Sequence, residues 1–201
     1  MKENSELRAE ARQALKGNWS VAAMFMFVYA LVAMVLSSAF SLPFGTNPAA
    51  TGASLFSVLF ILPLEWGAYV AYMRVVRREE LQMGWMFEGY PQGRIWTTCI
   101  LQFIYTSLWT LLLIVPGVIK SYSYAMTPYI LKDNPELSNN AAIEESMRMM
   151  QGNKMKLFLL DLSFIGWCLL SILTFGIGMI WVASYMYTAR AAFYEDLKLN
   201  N

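Results

Sequence analysis

Residues 19–64 read WSVAAMFMFVYALVAMVLSSAFSLPFGTNPAATGASLFSVLFILPL, 46 residues without one charged side chain. A helix needs about 20 predominantly apolar residues to cross a bilayer, so this run has room for two. The stretch Ser41-Leu42-Pro43-Phe44-Gly45-Thr46-Asn47-Pro48 is dense in turn residues and divides it. The reading is one membrane helix over 19–40 and a second over 54–73, ending at Arg74, Arg77 and Arg78.

Working outward, the whole chain has the same character. It has 201 residues, a single-domain length, and is 57% hydrophobic and 14% charged. Soluble domains run near about 45–50% and about 25%, so lipid rather than water is the expected solvent for much of the surface. Histidine is absent, which excludes His-based acid–base catalysis and His metal sites. The net charge of +1 gives no basic footprint for nucleic acid. Cys99 and Cys168 stand alone in apolar stretches and read as packing residues.

Two more apolar stretches follow. From Ile95 to Leu131 the only charge is Lys120, and Pro116-Gly117 is the expected break. The residues from Leu157 to Ala189 form a second long stretch, with Thr174-Phe175-Gly176-Ile177-Gly178 as its expected turn. Spans are therefore expected at 95–115, 117–131, 157–173 and 178–194. Cytoplasmic loops attract Lys and Arg. With six spans, 14 of the 15 basic residues fall on one side and only Lys120 does not. The expected fold is an all-α polytopic membrane bundle, one integral domain over 1–201. Its six spans form three hairpins with both termini cytoplasmic, in a bacterial inner membrane. The amino terminus is read as retained, because its apolar stretch begins behind Glu3, Glu6 and Glu10.

Two polar segments, 1–17 and 138–151, carry apolar residues at helical spacing and read as amphipathic helices lying in the membrane plane. Each leads to a Gly-Asn pair, Gly17-Asn18 and Gly152-Asn153, where glycine suits the left-handed residue past a helix end. Gln92-Gly93-Arg94 is a weaker third copy. The pattern suggests three units, each a surface segment followed by a membrane hairpin.

Charged groups at membrane depth are the default functional candidates. They are Glu65, Lys120, Asp161 and Arg190. Asp161 and Arg190 lie at similar depth and are placed to pair. Glu65 needs a partner, a water-filled cavity or a proton, whereas Lys120 can snorkel along its stem. The fourth span carries Tyr122 and Tyr124 among other hydroxyls. It either lines a cavity or packs as a central helix bonded to its neighbours.

These residues also resemble a known family. Ala11 through Trp19 is similar to the opening of the bacterial membrane family catalogued as domain of unknown function nine-seven-five. So are Pro116-Gly117-Val118-Ile119-Lys120 with Tyr122, Tyr124 and Pro128 through Leu131. Ser146 with Gly152-Asn153-Lys154, Asp161 through Trp167, and Arg190 through Tyr194 complete the resemblance. A fainter likeness links the Pro-Gly turn to the membrane domain of some glycerophosphodiester phosphodiesterases. The resemblance implies a bacterial inner-membrane protein and carries no assigned activity.

The expected function is non-catalytic: a membrane-organising protein, or a subunit for a partner. The expected contacts are membrane lipid, with another membrane protein or a second copy as further candidates. Met147, Met149, Met150 and Met155 suit an adaptable contact face. The alternative is a small transporter or export permease using a polar cavity around the fourth span. No nucleophile stands near a base, and phosphate-loop and dinucleotide motifs are absent, so no enzyme activity or cofactor is expected.

Overall fold

The computed structural model describes residues 1–41 and 49–200. Every regular element among them is helical. In chain order they are α1 (Asn4–Leu15), α2 (Trp19–Ser41), α3 (Ala49–Val76), a 3-10 turn (Met83–Phe87) and α4 (Gly93–Leu112). There follow α5 (Ile114–Ser123), α6 (Thr127–Asp133), α7 (Asn139–Met149), α8 (Lys154–Leu162), α9 (Ile165–Ile172) and α10 (Met179–Leu199). The expected break at 42–48 lies outside the described residues.

Among the described residues, four stretches are long and apolar enough to cross a membrane: Trp19–Ala39, Ser57–Val76, Gly93–Leu112 and Lys154–Ile172. The protein is thus an all-helical membrane protein by length and composition. α5 and α6 are shorter, and α10 carries Arg190, Glu195, Asp196 and Lys198.

Local chemistry explains the boundaries. Glu3 and Glu6 form a reciprocal capping box at the start of α1, with the Glu3 N–H donating to Glu6 Oε2 at 2.7 Å. Ser138 caps α7 by accepting from the Ala141 N–H at 3.3 Å. Leu15 and Met149 end their helices, and Gly17 and Gly152 follow with φ of +88° and +80°. Both therefore adopt the left-handed conformation that favours glycine. Gly93 differs, being the first residue of α4 with no positive φ.

The segment expected as one span over 117–131 is two helices. Pro128 cannot donate to the Tyr124 carbonyl and disfavours helix just before itself, so α5 stops at Ser123 and α6 restarts at Thr127. Nor does Pro116-Gly117 mark the preceding reversal. Leu113 does, with extended φ and ψ of −158° and 135°. Pro116 sits in the first turn of α5, where a missing N–H costs nothing. Gly117 closes this pair, because a Cβ there would collide with Thr110 of α4. Around Thr174–Gly178 the chain turns between α9 and α10, with Gly176 at φ +83°.

The core lies at one end, where α1, the start of α2, α3, α6, α7, α8 and α10 meet. Leu7, Leu15, Phe25, Trp66, Tyr72, Tyr129, Tyr194 and Phe193 are buried there. Two sequence expectations change accordingly. The apolar face of α1 is buried against α10 and α3 rather than offered to lipid, and Tyr185 Oη bonds the Arg8 carbonyl at 3.0 Å. Met149 and Met150 are core residues too, which removes them from the proposed contact face; Met155 remains exposed.

Candidate functional site

A cavity of about 340 Å³ opens between α3, α4, α5, the start of α6, and α10. α3 contributes Glu65, Trp66 and Tyr69, which helical spacing brings to one side. α4 contributes Cys99, Gln102 and Phe103, α5 contributes Ser121 and Tyr122, and α10 contributes Arg190. Trp66 Nε1 donates to the Pro128 carbonyl at 3.0 Å, so the wall is tied to the α5–α6 break.

The ionisable residues form one connected chain. Arg190 donates from Nε to Asp161 Oδ1 at 2.9 Å and from Nη2 to Oδ2 at 2.7 Å, a bidentate pair. Tyr122 Oη donates to Asp161 Oδ2 at 3.0 Å. On the other side, Arg190 Nη1 donates to Tyr69 Oη at 3.3 Å, and Tyr69 Oη donates to Glu65 Oε1 at 3.4 Å. One guanidinium thus holds the α8 acid directly and reaches the α3 acid through the Tyr69 hydroxyl. Rings frame the chain: Tyr69 lies 4.8 Å from Tyr187 and 5.7 Å from Tyr129, and Tyr129 stacks on Tyr194 at 5.0 Å.

Four of the six residues singled out in the sequence meet here: Glu65, Tyr122, Asp161 and Arg190. Lys120 does not join them. Its Nζ lies 5.0 Å over the Trp109 ring and 4.0 Å from Met147 Sδ. Tyr124 is buried outside the cavity, its ring 6.5 Å from Tyr105 and its carbonyl accepting from Gln102 Nε2 at 3.3 Å. Sequence reasoning missed Tyr69, which joins the two halves. Its position four residues after Glu65, on one helical face, was the available signal.

A second polar cluster sits outside the apolar helices. Asp133 accepts from Arg77 Nη1 at 2.8 Å and Nη2 at 2.7 Å, from Lys198 Nζ at 2.7 Å, and from Tyr194 Oη at 3.1 Å. Burial works to raise its pKa, but the hydrogen bonds from Arg77 and Lys198 prevail and hold the carboxyl at about 2. Beside it, Glu88 bridges Arg74, at 2.8 Å, and Lys132.

Apolar helices joined to a tightly paired polar base, with a polar cavity between them, define a helical membrane protein. Residues 94–201 match the family described as Protein of unknown function (DUF975), and the chain belongs to that family. The resemblance seen at Ala11 through Trp19 lies outside that matched range. No curated protein and no solved structure matches the chain, so the likeness to the phosphodiesterase membrane domain gains no support.

Proposed function

We propose that this is a non-catalytic, multi-pass protein of the bacterial inner membrane that organises lipid at the cytoplasmic face. Six apolar limbs, paired as three hairpins, enter from that face, and both termini remain there. The excess of Lys and Arg on one side of the hairpins supports the orientation.

The cavity carries the lipid reading. It sets a carboxylate, Glu65, and a guanidinium, Arg190, in one aromatic and apolar enclosure. The Glu65 carboxyl among aromatic faces matches the ammonium of a lipid headgroup. The Ser121 hydroxyl that lines the cavity donates to the Val118 carbonyl at 2.8 Å. The test is native mass spectrometry of the protein released from nanodiscs containing phosphatidylethanolamine and phosphatidylglycerol. One retained phosphatidylethanolamine per chain is expected, falling at least fivefold in Glu65→Gln. Equal retention of both lipids by both forms overturns the headgroup reading.

One observation favours transport as a second reading. The α5–α6 break adjoins the cavity through Trp66 and Pro128, and broken helices border substrate sites in many transporters. Solute flux into vesicles holding only this protein would establish it.

A further inference from the structure

Length and depth are separate properties of an apolar helix, and here they diverge. α4 has spanning length, yet its first thirteen residues include several tied to polar partners. Arg94 donates to the carbonyls of Leu131 at 2.6 Å and Leu137 at 2.8 Å. Thr98 Oγ1 donates to Asn139 Oδ1 at 3.1 Å, and Tyr105 Oη donates to Asn140 Oδ1 at 3.4 Å. Asn139 and Asn140 open α7, the helix that bears Glu144, Glu145 and Arg148. On the returning helix, Lys120 lies against Met147 of that same α7. Tyr105 and Lys120 therefore share the level of a charged helix. Seven residues of α4 follow Tyr105 and six of α5 precede Lys120. At 1.5 Å per residue the pair reaches only about 10 Å further.

α9 and α10 repeat the arrangement. The Phe164 and Tyr185 rings meet edge-on at 4.8 Å. Tyr185 in turn touches Trp19 at 6.0 Å and bonds the Arg8 carbonyl, level with the charged α1. Eight residues of α9 and six of α10 lie beyond that level. With the turn 173–178 between them, the tip at Phe175 stands ten residues from Tyr185, about 15 Å at helical rise. α2, in contrast, continues 16 residues past Phe25, which packs on Tyr72 at 5.7 Å. That is about 24 Å.

Both tips are apolar and bare. Leu111 is 85% exposed and Ile114 75%, while in the other tip Leu173 is 78% and Phe175 99% exposed. The α9–α10 tip also pairs its own backbone donors. Every backbone N–H from Leu173 to Val182 has a partner inside the turn, with Gly178 N donating to Thr174 Oγ1 at 2.8 Å. The Thr174 hydroxyl donates to the Ser171 carbonyl at 2.8 Å, and the Thr110 hydroxyl to the Thr106 carbonyl at 2.8 Å. A loop emerging into water has no need of such closure, whereas a turn within hydrocarbon requires it.

The geometry points to two re-entrant wedges: α4–α5 and α9–α10 enter from the cytoplasmic face and end among the acyl chains of the nearer leaflet. One leaflet offers about 15 Å of hydrocarbon, close to the reach of both tips. A wedge returns the chain to its starting face, so the distribution of basic residues is the same as for a full crossing. The inference rests on the cytoplasmic placement of α1 and α7 proposed above and is independent of what the cavity binds.

Depth-dependent fluorescence quenching tests it on the full chain, with Cys99→Ala and Cys168→Ala as background. Leu113→Cys and Phe175→Cys carry the reporter on exposed tips, where the label disturbs no core contact. Ser5→Cys and Glu144→Cys report the face on which α1 and α7 lie. In vesicles of phosphatidylethanolamine and phosphatidylglycerol, both tips should be quenched at least threefold more by a spin label deep in the acyl chain than by aqueous iodide on either face. Strong iodide quenching from the face opposite Ser5 means a full crossing and overturns the wedges. Strong iodide quenching from the Ser5 face means tips resting at the headgroups and overturns them equally. Labels at Ser5 and Glu144 responding to iodide on opposite faces would instead overturn the common cytoplasmic placement.

Discussion

Arg190 answers to two carboxylates at once, which makes it the most informative single side chain. Asp161 engages two of its nitrogens, and Tyr69 passes a third contact toward Glu65. Removing the charge of Asp161 leaves the guanidinium without its counter-ion in a largely enclosed place. Asp161→Asn should therefore cost about 3 kcal/mol of unfolding free energy in detergent, the lower range for breaking a buried pair. Tyr122→Phe removes one neutral donor to that carboxylate and should cost about 1 kcal/mol. A double-mutant cycle of Asp161→Asn with Arg190→Gln measures the pair directly, and additive losses would mean the two residues do not couple. The sequence pointed to Asp161 and Arg190 as partners because equal distances from the ends of neighbouring apolar segments imply equal depth. It separated Glu65 from them, since helical spacing along α3 tells nothing of where α10 crosses it.

Among the elements, the two Gly-Asn junctions are alike in backbone as well as in letters. Gly17 and Gly152 both follow an amphipathic helix with positive φ, and no neighbour fills the space a Cβ would occupy. Gly17→Ala and Gly152→Ala should each lose about 1–2 kcal/mol through backbone strain alone. Gly93→Ala, at the first position of α4, should be neutral or slightly stabilising, because alanine favours helix and Gly93 has open space around it. Thermal unfolding of the three variants separates these outcomes, and equal losses at all three sites would contradict the conformational difference. Helix existence was legible from apolar runs and glycine positions. Reversals were less so: proline identifies a residue that disfavours helix before it, yet Pro116 is tolerated in a first turn while Pro128 breaks the chain. The letters alone do not distinguish the two cases.

Across the whole molecule, the base is held by side chains far apart in sequence, and this was least legible beforehand. In the sequence Arg77 and Lys198 count only among the basic residues marking one membrane face, and nothing singles out Asp133. Folding instead gathers α3, α6 and α10 onto the single carboxylate of Asp133, whose side chain is 9% exposed. The carboxyl titrates at about 2 in the folded protein and near 3.8 ordinarily. The unfolded chain thus binds its proton first as the pH falls, which penalises folding below the ordinary value. The stabilisation is complete above about pH 5 and disappears as the pH drops through about 2. Arg77 and Lys198 remain partly in water, so screening reduces the contribution to about 1–2 kcal/mol. Asp133→Asn should therefore lower stability by that amount at neutral pH and flatten the acid limb of the stability curve. Chemical unfolding in detergent between pH 6 and pH 2 measures both effects, and parallel curves for the two proteins would show that this carboxylate does not couple protonation to assembly of the base.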